Sequence, residues 1–266
     1  MLKKILFRGC ELVYEISGEG TAVMLVHGFT EDRRIWDPFL SGIENKYQWI
    51  IPDIPGSGDS AYNGSLNQIR DFAEFIGAVL ENENLKELVL IGHSMGGYMS
   101  LAFAEKYPEK IRALGLFHSG SYPDSEEKKE SRDKNIRFIK NHDPALFVEQ
   151  SIPGLFSESF KAEHPEEIRK LIDRYANFKR ESLVQYLEAM KNRPATTGVL
   201  KSITKPVLFI IGEEDKAIPI KDSLELCHLP RISYIHILTR TAHMGMIENT
   251  SLCNSFVDRF LSAIPV

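Results

Sequence analysis

The chain has 266 residues, 43% of them hydrophobic, which is enough for a sizeable buried core in one globular unit with an embedded subdomain. Its formal net charge of −5 argues against the clustered Lys and Arg that nucleic-acid binding needs, and no apolar stretch approaches the roughly 18 residues of a membrane span. Cys10, Cys227 and Cys253 are odd in number and have neither metal nor redox spacing, so they read as free thiols in a reducing cytoplasm.

In chain order, the apolar run at Met1–Phe7 is broken by Arg8 and Glu11, too early for a secretion signal, and reads as a strand. Leu12–Ile16 is strand-like and ends at the turn Ser17–Gly20. Ala22–Val26 and Trp49–Ile51 are too continuously apolar for half-exposed strands and read as buried central ones. From Gln68 to Leu80 the residues Ile69, Phe72, Ala73, Ile76, Val79 and Leu80 recur at helical spacing, predicting a surface helix. A buried strand at Leu88–Ile91, a helix from about Gly96 to Tyr107 and a strand at Ala113–Phe117 follow. This alternation predicts a largely parallel sheet covered by helices on both faces.

The alternation stops after Ser119 and resumes only at Pro206–Ile211. Helical patterns at Glu126–Lys140, Pro165–Phe178 and Glu181–Lys191 predict a helical cap over residues 120–204, inserted into a core of residues 1–119 and 205–266. The charge run Glu126–Glu130 reads as a solvated helix face. A strand at Ser233–Leu238 and a helix around Cys253–Leu261 complete the chain.

Gly92-His93-Ser94-Met95-Gly96 follows a buried strand and opens a helix, the setting in which a strained turn holds a nucleophilic serine clear of the sheet. A serine hydroxyl is a poor nucleophile at neutral pH, so it needs a base, a group to orient that base, and donors for the oxyanion. In this arrangement the acid and then the histidine follow the serine, leaving His228, His236 and His243. His228 lies by a helix end and His236 inside a strand; His243, in a loop just past a strand, is the expected base. Asp215, in Gly212-Glu213-Glu214-Asp215 after a buried strand, is the expected acid, with Glu214 and Asp124 as alternatives. The oxyanion donors are expected to be the backbone amides of Met95 and of Phe29 in His27-Gly28-Phe29, with His27 a brace for its loop. The turn-rich loop Asp53–Ser60 reads as structural. Trp36, Phe147, Ile152, Leu155, Phe156 and Met190 are the candidate walls of an acyl pocket, with core packing the rival reading for each.

Together His27-Gly28-Phe29, Asp53-Ile54-Pro55-Gly56-Ser57-Gly58, Gly92–Gly97, Gly212–Asp215 and Ala242-His243 closely resemble the α/β-hydrolase superfamily, in the branch of capped single-chain esterases, lactonases and carbon–carbon bond hydrolases. The resemblance spans nearly the whole chain. It implies a mostly parallel eight-stranded sheet, a cap between strands six and seven, and hydrolysis without a cofactor; no metal site is expected. Serine at position 94 departs from the aspartate nucleophile of haloalkane dehalogenases and epoxide hydrolases and argues against those activities. The expected reaction is hydrolysis of a carboxylic ester or related small acyl compound. Cleavage of a carbon–carbon bond or an enol-lactone with the same triad is the enzymatic alternative, and a non-catalytic small-molecule receptor the alternative of another class. Nothing in the sequence fixes an oligomeric state.

Overall fold

Eight strands form one sheet in the order β1-β2-β4-β3-β5-β6-β7-β8: β1 (Leu2–Phe7), β2 (Cys10–Ser17), β3 (Thr21–Val26), β4 (Tyr47–Pro52), β5 (Leu88–His93), β6 (Ile111–Phe117), β7 (Val207–Gly212) and β8 (Ser233–Leu238). The computed structural model describes residues 1–43 and 46–264, so residues 44, 45, 265 and 266 of the expected core segments lie outside the described residues. The β1–β2 hairpin and the β2–β4 pair are antiparallel, and the pairs from β4 through β8 are parallel. β5 and β7 are buried along their whole length, as their unbroken apolar runs require, whereas the edge strand β1 alternates between exposed and sheltered positions.

Because side chains alternate across a strand, β3 feeds two cores. Met24 and Val26 join Phe72, Phe75, Met99 and Phe103 on one face, from α2 (Ile69–Asn82) and α3 (Met95–Lys106), while Val23 and Leu25 join Trp36, Phe117, Val257 and Phe260 on the other. The parallel strands β3 to β8 all end at the same edge, and the loops that follow them gather there.

Between β6 and β7 the described chain forms only helices: α4 (Glu126–Asn141), α5 (Pro144–Ser151), a 3-10 turn (Ile152–Leu155), α6 (Glu158–Glu163), α7 (Pro165–Tyr175), α8 (Arg180–Lys191) and α9 (Thr197–Ser202). Short α5 and α6 begin at Asp143 and Ser157, whose side chains accept from Ala145 N and Phe160 N. This segment is tied across the loop edge of the sheet. Tyr186 Oη donates to the Pro55 carbonyl (2.8 Å), Gln185 Nε2 to the Asn63 carbonyl (2.8 Å), and His243 N to the Leu155 carbonyl (2.9 Å). Ser157 N donates to Glu248 Oε2 at 2.9 Å. After β7 come α10 (Ile220–Leu226), α11 (Gly245–Glu248) and α12 (Thr250–Ala263). Among the described residues no helix is long and apolar enough to cross a membrane.

Candidate active site

Ser94 stands between the end of β5 and the start of α3 with φ 49° and ψ −116°, a left-handed conformation that costs a non-glycine residue roughly 1–3 kcal/mol. The neighbouring helix and strand lie so close that a Cβ at Gly92 would run into the Gly96–Gly97 backbone. One at Gly96 would run into the carbonyls of Val26 and His27. The turn is held by Ser94 N donating to the Phe117 carbonyl (3.0 Å) and by Ser119 Oγ donating to the Ser94 carbonyl (2.7 Å).

Asp215 is buried in the loop after β7, and His243 is buried in the loop after β8. His243 Nδ1 donates to Asp215 Oδ2 at 2.8 Å, which leaves Nε2 as the basic nitrogen of the neutral ring. Asp215 Oδ1 accepts from Ala217 N (2.8 Å) and Ile218 N (2.9 Å). Burial opposes the Asp215 charge, but His243 and His118 outweigh it and hold the carboxyl well below the usual range. Burial likewise opposes a charged His243, and the Asp215 carboxylate more than reverses this, raising the imidazole above its ordinary 6.5.

Ser94 and His243 line one cavity of about 230 Å³, together with Phe29, Thr30, Glu31, Tyr98 and residues of the helical segment. Ser94 Oγ makes no hydrogen bond among the described residues, so the two groups share the cavity without a formed bond between them. The backbone N–H groups of Phe29 and Met95 likewise have no hydrogen-bond acceptor among the described residues. The alternatives for base and acid lie elsewhere. His228 and Glu214 are exposed, His236 stacks on Phe256 at 3.9 Å, and Asp124 pairs with Arg132 and Arg193.

Two groups at the site carry no local sequence signal. His118, just past β6, accepts from Gly245 N at its Nε2 (3.2 Å), so its proton belongs on Nδ1, 3.4 Å from Asp215 Oδ2. Burial pushes His118 down to about 4, which keeps it neutral beside the Asp215–His243 pair. Glu31 is buried next to the Phe29 loop, where it accepts from Gly28 N and lies 3.1 Å from His93 Nδ1; His93 Nε2 in turn donates to the His243 carbonyl (3.0 Å). One buried carboxylate thereby connects the loop after β3 to the main chain of His243. His27 joins its own loop to the Asp53–Ser60 loop, its Nε2 accepting from Ile54 N (3.0 Å) and lying 2.9 Å from Ser57 Oγ. Asp53 is saturated by Arg33 and by Asp59 N (2.8 Å), in keeping with a structural loop. Among the described residues one set of side chains has metal-ligand geometry, His118, Asp215 and His243, with donor atoms within 4.8 Å of one another. Asp215 Oδ2 and His243 Nδ1 are already occupied by their mutual hydrogen bond.

The family described as "alpha/beta hydrolase fold" matches residues 21–250 of the sequence. The chain belongs to this family. The structure of a thermophilic esterase from Thermogutta terrifontis, with malate bound, is similar to this alpha/beta hydrolase over 100% of both chains, at 27% identity and a TM-score of 0.93. An uncharacterized hydrolase of Bacillus subtilis, YugF, is 27% identical over 93% of this chain and 92% of its own. The 2-hydroxy-6-oxo-2,4-heptadienoate hydrolase of Pseudomonas putida is 24% identical over 98% and 96%, respectively.

Of the side chains expected to wall the pocket of this alpha/beta hydrolase, Leu155 and Met190 line the cavity. Trp36, Phe147, Ile152 and Phe156 are buried among core residues and are not among the residues that line this cavity. Phe147 packs against Phe29 (centroids 6.0 Å), Phe156 stacks on Phe160 (5.3 Å), and Ile152 lies in the core on the Trp36 side of the sheet. Trp36 is fully buried, edge-on to Phe39 and Phe117. Trp36→Ala is therefore expected to destabilise the fold by about 3–5 kcal/mol in urea unfolding while leaving the ranking of ester chain lengths unchanged. A changed ranking with unaltered stability would return Trp36 to the pocket wall.

Proposed function

We propose that this alpha/beta hydrolase cleaves a carboxylic ester or related small acyl compound through Ser94, His243 and Asp215. The observation that carries the reading is the 2.8 Å hydrogen bond from His243 to Asp215, with His243 lining the same cavity as Ser94 on its strained turn. Ser94 Oγ gives its proton to His243 Nε2 as it attacks the carbonyl carbon. The developing oxyanion accepts from the unengaged N–H groups of Phe29 and Met95. Collapse expels the alcohol, which takes the proton from His243, and leaves an acyl-enzyme. Water, deprotonated by the same imidazole, then releases the acid and restores Ser94. Catalytic hydrogen bonds of this kind commonly tighten only when substrate is bound. The helical segment 120–204 serves as the cap, and its Lys128, Arg132, Leu155 and Met190 form much of the cavity wall.

Labelling by a fluorophosphonate that is lost in Ser94→Ala, with turnover of short-chain aryl esters, is the expected result. Turnover of dienone or lactone substrates in preference to esters would favour the carbon–carbon or enol-lactone reading, which the Pseudomonas relative supports by its name. Folded wild-type protein that takes no label would point to a receptor. The pH profile is a further check. The base must be neutral to act, and its imidazole is raised, so kcat/KM is expected to fall on the acid side with a midpoint above 6.5. An acid limb centred below that value would contradict the assignment of His243.

A further inference from the structure

One wall of the cavity is polar. Lys128, Ser131, Arg132 and Asn135 of α4 are spaced i, i+3, i+4 and i+7, which places them on one helical face, and all four line the cavity with Ser94 and His243. The charge run that reads as solvated in the sequence thus divides: Glu126 and Glu127 stay exposed, whereas Lys128 is half-buried.

The charges on this wall do not cancel. Arg132 hydrogen-bonds the buried carboxylate of Asp124 through Nε, and Arg193 Nη1 donates to the same carboxylate at 2.8 Å, so one anion faces two guanidiniums. Glu31, the acidic member of the lining, is committed to Gly28 N and His93. Lys128 Nζ donates to the Ala217 carbonyl at 2.9 Å and has no carboxylate partner among the described residues. An ammonium has three donors, so two remain for another acceptor. A second depression, lined by Tyr98, Lys128, Arg193, Ile218 and Asp222 among others, shares Tyr98, Lys128 and Ile218 with the cavity, whereas Asp222 does not line the cavity that holds Ser94. Lys128 therefore sits at the junction of the two spaces. A half-buried ammonium with no carboxylate in contact is costly to keep out of water, and a bound anion offsets that cost.

We propose that this hydrolase selects esters that carry a carboxylate, which Lys128 binds with the hydroxyl of Ser131 and the amide of Asn135 beside it. The inference rests on the esterase reading for its substrate class. Arg132, already held by Asp124, contributes positive potential and is not required to touch the ligand.

The test compares 4-nitrophenyl hydrogen glutarate with 4-nitrophenyl butyrate, and 4-acetoxybenzoate with phenyl acetate. The carboxylate is then on the acyl side in one pair and on the leaving group in the other. The readout is the ratio of kcat/KM within a pair, in which a general loss of activity cancels. The ratio is expected to exceed one in at least one pair, to fall roughly tenfold or more in Lys128→Met and to recover in Lys128→Arg. Equal ratios in wild type and Lys128→Met in both pairs would overturn the proposal. If wild-type protein hydrolyses none of the four esters, the esterase reading has failed, and calorimetry then decides the inference separately. Binding of monomethyl glutarate in preference to methyl butyrate, abolished in Lys128→Met, sustains it, and a preference that is missing or unaltered in the variant overturns it.

Discussion

Ser94→Ala is expected to lower kcat for a short aryl ester by roughly 10⁴-fold or more and to abolish fluorophosphonate labelling. The size of the effect follows from the proposed chemistry. Without Oγ no acyl-enzyme can form, and what remains is water attack assisted by the Phe29 and Met95 amides. The fold gives no reason for a parallel loss of structure. The turn is held through the main chain of residue 94, its N donating to the Phe117 carbonyl and its carbonyl accepting from Ser119 Oγ, and both bonds survive the substitution. Full activity in the variant, with an unchanged circular dichroism spectrum, would remove Ser94 from the chemistry.

The second large effect is expected at Asp215. In Asp215→Asn the side chain has one oxygen to place, and Ala217 N and Ile218 N both donate to the Oδ1 position, so the oxygen is drawn there. The new NH₂ group must then face His243 Nδ1 and His118 Nδ1, where the native structure has an acceptor. A donor meeting a donor drives the His243 proton onto Nε2, the nitrogen that the proposed mechanism needs free. The expected result is a fall in kcat of about 10³–10⁴-fold with a much smaller change in KM, measured by steady-state hydrolysis. A kcat within tenfold of wild type would show that Asp215 does not orient the base.

The parallel sheet was legible because burial on both faces leaves a plain mark: β5 and β7 have no polar alternation to confuse with an edge strand or an amphipathic helix. The turn at Ser94 was legible for a related reason. Close approach of backbone to backbone demands glycine at fixed offsets, so the geometry is written locally. Helices α5, α6 and α9 were not anticipated, since each is too short to repeat an apolar period. Trp36 shows a different limit. An aromatic residue shortly after a functional loop has the same sequence signature whether it faces a cavity or, as here, Phe39 and Phe117. His118 and the Glu31–His93 pair were invisible because their partners are far away in the chain, and only the folded sheet edge brings them together.

The bond from His243 N to the Leu155 carbonyl, with Ser157 N on Glu248 nearby, ties the middle of the helical segment to the loop that carries the imidazole. Lifting that whole segment like a hinged roof would break these ties and drag residue 243 out of register with Asp215. Passage of solvent and small molecules that leaves both ties in place would instead keep the imidazole seated on Asp215 throughout.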